Sequence, residues 1–255
     1  MKTISTQDKN VLRNILGAFA VKGGSLVISV VLLPLYLRFF QNQEILGIWY
    51  TILSVLNWVI LFDLGLGQGL RNQLPKALLK NDKKLAKEYI STTYVLMTAV
   101  AAVVSVVGVI LIKRVDLYSV FNVDAAVIEY HYLQSATIIV FLGIMLQIVL
   151  KIATSILYAM QKSAVVNALA LLTNVIILGA LCFIPSQDIG TNLVVMAWVN
   201  VIAANIPYII CTFFIFGTKT LKGTAPSLKA FSKQYIKGIF NVGISLLWLQ
   251  IVFMI

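Results

Sequence analysis

Residues 45–70 read ILGIWYTILSVLNWVILFDLGLGQGL, and Arg71 and Asn72 follow at once. A run of about 20 apolar residues is long enough to cross the ~30 Å hydrocarbon layer as a helix. Its single carboxylate, Asp63, is costly in lipid and is expected to face protein or a watery cavity. The next stretch carries Lys76, Lys80, Lys83, Lys84 and Lys87, the basic load of a cytoplasmic loop. An apolar span with an internal acid and a basic exit predicts a polytopic membrane protein with a polar interior. That description fits a transporter or a membrane-embedded enzyme.

Composition agrees. The 255 residues are 60% hydrophobic and only 11% charged, with a mean hydropathy of +0.95. Water-soluble domains are nearer half apolar and a quarter charged, so a soluble globular core is excluded. The net charge of +11 would suit a nucleic-acid partner only if the cations formed a patch interleaved with aromatic stacking platforms. They lie in particular connections instead, which fits membrane orientation and anionic headgroups, and no nucleic-acid partner is expected. Cys182 and Cys211 both fall in apolar runs and are read as small buried residues, since two cysteines build neither a metal quartet nor a disulfide framework. No cofactor is implied.

Seven apolar runs can be marked, at about 14–37, 45–70, 89–112, 132–160, 164–184, 191–216 and 238–255. The expected fold class is all-α. A six-helix transmembrane bundle is expected over 1–216, then a basic loop with an amphipathic segment over 217–237, then the start of a seventh helix over 238–255. That last run stops on Phe253-Met254-Ile255 with no polar exit, the pattern expected of a fragment of a longer protein.

Connection charge sets the orientation. The N-terminal tail, the 71–88 stretch, Lys162 and the 217–237 loop together hold fifteen of the twenty Lys and Arg. The other side receives Arg38, Lys113 and Arg114, with Glu44, Asp116, Asp124, Glu129 and Asp188. The asymmetry predicts a cytoplasmic N-terminus in a chain that crosses its membrane several times. Within 226–237, PSLKAFSKQYIK, Leu228, Phe231 and Tyr235 fall on one side of a helical wheel and Lys229, Lys233 and Lys237 on another. This predicts a short surface helix lying on anionic lipid.

Lys22, Asp63 and Lys151 are the ionisable residues expected inside the bilayer, each roughly 10–13 Å from the cytoplasmic end of its span. Shared depth lets them meet. Two arrangements remain open. A Lys22–Asp63 ion pair would neutralise both charges and lock the first two helices. Alternatively, Lys22 and Lys151 would line a cationic cavity that draws in a phosphate while Asp63 tunes them. Asn57, Gln68, Asn72, Asn167, Asn174, Asn200 and Asn205 add hydrogen-bonding capacity in or beside the spans, and such amides often serve as interhelical glue. Pro207 is a candidate kink in the sixth helix, and Gly65, Gly67 and Gly69 mark a bend or a close approach. His131, the single histidine, sits beside Glu129 at an outer mouth. No metal spacing, catalytic pair or nucleophile elbow occurs, so the chain is not expected to be an enzyme.

The block Gly47-Ile48-Trp49, then Phe62-Asp63-Leu64-Gly65-Leu66-Gly67-Gln68-Gly69-Leu70-Arg71-Asn72, then Tyr89-Ile90-Ser91-Thr92-Thr93-Tyr94, resembles bacterial O-antigen and capsular polysaccharide flippases of the multidrug/oligosaccharidyl-lipid/polysaccharide exporter superfamily. Tyr158-Ala159-Met160-Gln161-Lys162 and the basic loop before the last run are similar too. The resemblance implies about 12 to 14 helices in two pseudo-symmetric bundles, with alternating access around a midplane site. The present chain would supply the first bundle, and the C-terminal helices of the same protein would be its partner. The implied substrate is a polyprenyl-pyrophosphate-linked glycan, flipped for surface polysaccharide synthesis. A cation-coupled multidrug or metabolite antiporter, with Asp63 as coupling site, is the alternative. Family cavities rely on cations, and by charge and depth Lys22, Arg71 and Lys151 are the positions here for that role.

Overall fold

The computed structural model describes residues 6–61 and 65–238, and of 6–16, 18 and 57–61 the backbone only. The chain is helical throughout its long elements. Helix α1 spans Thr6–Phe40, α2 Gln43–Leu61, α3 Leu66–Leu79, α4 Lys83–Arg114, α5 Leu117–Phe121, α6 Tyr130–Leu150, α7 Ile152–Ala159, α8 Ser163–Phe183 and α9 Ile189–Gly217. Local chemistry ends them. Gln41, Asn81, Asn122 and Gln161 take left-handed backbone angles, the conformation that terminates a helix and turns the chain. Asn42 Oδ1 then accepts from the Glu44 amide at 2.7 Å, and Asp82 Oδ1 accepts from the Leu85 amide at 2.9 Å. These caps satisfy amide donors that each new helix leaves unpaired.

Among the described residues, five helical segments are long and apolar enough to cross a membrane: Phe19–Phe40, Lys83–Arg114, Tyr130–Ala159, Ser163–Phe183 and Ile189–Gly217. The chain is therefore a multi-pass membrane protein by the length and composition of its helices. The expected count of six plus one is not reproduced. Residues 45–70 are not described as one continuous helix: α2 is described as far as Leu61, 62–64 lie outside the described residues, and α3 starts after Gly65, whose φ of 67° is not helical. Hydropathy cannot register that break, since glycine adopts a left-handed angle at almost no cost. The stretch 71–88, expected as a loop, is mostly helix, divided between α3 and α4. The seventh run, from residue 239 on, lies outside the described residues.

Helix α6 and its continuation α7 form the axis of the bundle: 61% of their apolar window is buried, against 11% for α4. Helix α9 packs along α6, α4 and α2 flank it, and α1 lies against α8. Gly143 makes the α6–α9 contact possible, because an added Cβ there would collide with Val201. The bundle is tied by amides, as expected of interhelical asparagines. Asn174 Nδ2 on α8 donates to Ser25 Oγ (2.9 Å) and Ser29 Oγ (3.3 Å) on α1. Asn192 Nδ2 donates to the Phe39 carbonyl at 3.2 Å. Pro207 sits inside α9 without ending it. The outward faces carry Val103, Val106 and Ile110 on α4 and Phe213 and Phe214 on α9, all exposed, as a lipid-facing surface requires. Cys211 is buried as expected, but Cys182 is exposed, because it lies on the outward side of α8.

The 226–237 segment is not a surface helix. It forms two 3-10 turns, Leu228–Ala230 and Lys233–Tyr235, and lies as a strap across the start of α4. The Ser227 amide donates to Ser91 Oγ at 3.0 Å and the Ser232 amide to Thr92 Oγ1 at 3.1 Å. The Tyr235 ring meets Tyr89 with centroids 4.7 Å apart. Pairing with Ser91 and Thr92 competes with the regular helix that the lysine period suggests.

Candidate functional site

Helix α3 buries Leu66, Leu70, Leu74 and Ala77 and thereby turns Gly67, Gln68 and Arg71 to its other side, spaced to share a helical face. Opposite them runs α7. Its sequence from Lys151 to Met160, KIATSILYAM, places Lys151, Thr154, Ser155 and Tyr158 at i, i+3, i+4 and i+7, one polar stripe on an apolar helix. The two stripes face each other across a cleft of about 130 Å³, closed by Met97 of α4 and by Ile148 and Ile152.

Arg71 and Lys151, eighty positions apart in the chain, therefore line one cleft. The Arg71 guanidinium carbon lies 4.5 Å from the centre of the Tyr158 ring, a cation–π placement that holds its planar fork in position. Lys151 stands at the junction of α6 and α7. Its amide donates to the Gln147 carbonyl at 2.8 Å, and its carbonyl accepts from Thr154 Oγ1 at 2.7 Å. The helix trace loosens there just enough to separate the two helices. Among the described lining residues there are two cations, a hydroxyl donor on Ser155 and no carboxylate, while the Thr154 hydroxyl donates to the Lys151 carbonyl and the Tyr158 ring carries Arg71. Such a set attracts anions and can hydrogen-bond several oxygens at once.

The sequence-predicted site residues divide. Arg71 and Lys151 come together. Lys22 is exposed on α1, the helix that packs against α8, and does not line the cleft. Asp63 lies outside the described residues, so the expected Lys22–Asp63 pair does too. Thr154, Ser155 and Tyr158 were missed as site residues, although their spacing from Lys151 was visible in the sequence. The amides also divide: Asn174 and Asn205 tie helices together, whereas Asn72 is exposed. His131 pairs with Glu129 at 3.3 Å, with both side chains largely exposed.

The basic and acidic ends are segregated by the connectivity. The turns at 80–82 and 160–162 and the strap occupy one end, whereas the 41–42, 115–129 and 184–188 connections occupy the other. Asp116 and Asp188 at the second end are held below the ordinary carboxylate range. For Asp116 the chief cause is the Ser119 hydroxyl, which donates at 2.6 Å; for Asp188 it is the Thr191 amide, at 2.9 Å. In comparisons with protein-family models, curated proteins and solved structures, nothing matches this chain.

Proposed function

We propose that the chain is a bundle of a membrane transporter that flips a polyprenyl-pyrophosphate-linked glycan, with the diphosphate engaged by Arg71 and Lys151. The observation that carries this reading is the cleft that combines those two cations with Thr154, Ser155 and Tyr158 at the end of the bundle bearing the lysine-rich turns. A diphosphate supplies several oxygens and negative charge, matched by a bidentate guanidinium, an ammonium and the Ser155 hydroxyl. The polyprenyl tail would remain in lipid along the apolar outer faces. The basic end is cytoplasmic in this reading, as the positive-inside rule requires, and the membrane is a bacterial inner membrane. Anionic lipids would meet the exposed lysines of that end.

The test is binding of farnesyl diphosphate to the purified chain in nanodiscs, with farnesol as the uncharged control. Arg71→Ala and Lys151→Ala should each weaken binding on the order of tenfold or more, as expected for loss of a charge-assisted hydrogen bond. Farnesol should be indifferent to both. Equal binding of farnesol and farnesyl diphosphate, or an unaffected double variant, would remove the reading. Preferential binding of an organic cation would instead favour the antiporter.

A further inference from the structure

We propose that the cavity enclosed by α6, α8 and α9 is a second ligand site, suited to an uncharged sugar ring. It has a volume of about 330 Å³ near the middle of the α6–α7 rod, and Leu53 and Val140 form part of its wall. Its polar lining is Gln147, Thr173, Asn174, Asn200 and Asn205, with no charged side chain among the described lining residues. A carboxamide offers both donors and acceptors, and so does a hydroxyl. An anion needs donors and a cation needs acceptors, so a lining that is amphoteric throughout matches a polyol better than either ion.

The amides also have capacity that the bundle does not use. Asn205 is 3% exposed. Its Nδ2 donates to the Val201 carbonyl at 2.8 Å and the Gly143 carbonyl at 3.2 Å, but its Oδ1 has no hydrogen-bond partner. Asn200 makes no side-chain hydrogen bond to any described residue, whereas glue asparagines such as Asn174 are paired across helices. Buried polar atoms are ordinarily satisfied, and in a bilayer water is not at hand to do it. A ligand bringing its own hydroxyls would satisfy them.

Placement supports the same ligand. Gly143, Gln147, Lys151 and Ser155 follow one another at four-residue steps along α6 and α7, each about 6 Å further along the axis. Gln147 lines the amide cavity, and Lys151 and Ser155 line the cationic cleft. A sugar attached to a diphosphate would meet the two sites in succession. The physiological meaning rests on the lipid-diphosphate reading, whereas sugar binding itself does not require Arg71 or Lys151.

The experiment places a reporter cysteine at Leu53, an apolar wall position, in the chain with Cys182 and Cys211 replaced by alanine and held in nanodiscs. Modification by a small neutral thiol reagent is timed with methyl β-glucoside, glycerol or inorganic phosphate present. Methyl β-glucoside should slow labelling at least threefold, while glycerol and phosphate should not. Asn200→Leu should abolish the protection, and Asn205→Leu should do so too. Since Asn205 also ties α9 to α6, Asn200→Leu is the variant that decides if Asn205→Leu fails to fold. Arg71→Ala with Lys151→Ala should leave protection intact. No protection, equal protection by glycerol, protection that survives Asn200→Leu, or protection lost with the two cations would each overturn the proposal. Sugar protection without farnesyl diphosphate binding would leave this site standing and remove the diphosphate reading instead.

Discussion

Arg71 on α3 stacks its guanidinium over the ring of Tyr158 on α7, 4.5 Å from the ring centre. The contact joins the two helices that build the cationic cleft, and it fixes a side chain that would otherwise range over many rotamers. If the ring's role is to present the guanidinium, an aromatic replacement should preserve it and an aliphatic one should not. Tyr158→Phe should leave farnesyl diphosphate affinity within about twofold of the parent. Tyr158→Leu should weaken it roughly three- to fivefold, equivalent to about 0.5–1 kcal/mol of cation–π energy. Equal effects of the two substitutions would mean that the hydroxyl, not the ring, is what matters.

At Gly143 α6 and α9 pack closely, and the Val201 side chain occupies the space a Cβ would need. Gly143→Ala should therefore cost about 1–3 kcal/mol through overpacking. Adding Val201→Ala should recover part of that loss. Thermal unfolding in a fixed detergent reads both, and an unchanged midpoint for Gly143→Ala alone would contradict the packing.

The strap should loosen when its anchors are removed. Ser91→Ala deletes the acceptor for the Ser227 amide, one neutral hydrogen bond worth about 1 kcal/mol. Hydrogen exchange at Ser227 should then accelerate roughly fivefold, with little change at Ser232, which is held by Thr92. Acceleration at both amides would show that the strap opens as one unit.

Asp116 and Asp188 supply the pH dependence of the acidic end. Both carboxylates sit below their ordinary value of 3.8 when folded. Each therefore contributes stability above 3.8, and that contribution fades as the pH falls through the depressed folded value. The midpoint of unfolding should be flat from about pH 6 to about pH 4 on this account, then decline, and Asp116→Asn with Asp188→Asn should flatten the decline. Both groups are exposed, so the change is small. A loss of stability rising with pH in that range would have the wrong sign.

Orientation is testable in cells. Cysteines placed at Lys83 and Lys222, in a background without Cys182 and Cys211, should be shielded from an impermeant thiol reagent until the cells are permeabilised. A cysteine at Asp124 should label in intact cells. Labelling at Lys83 in intact cells would reverse the topology.

Residue order alone was enough to establish a helical chain for a membrane. The runs from 89 to 216 are long and apolar, and because a helix rises a fixed distance per residue, their lengths convert directly into spans. It also determined the segregation of charge, since short connections between antiparallel helices force alternate turns to opposite ends. Three matters were decided only by tertiary structure. The break before α3 depends on the backbone angle at Gly65, and hydropathy averages over it. The strap depends on Ser91 and Thr92, more than 130 positions away from their partners, and a helical period carries no information about such pairing. Depth along a span brought Lys22 and Lys151 together on paper, but depth leaves the direction of each side chain around its helix undefined. The packing of α3 against α7 chose Arg71 as the neighbour of Lys151, and the packing of α1 against α8 left Lys22 outside the cleft.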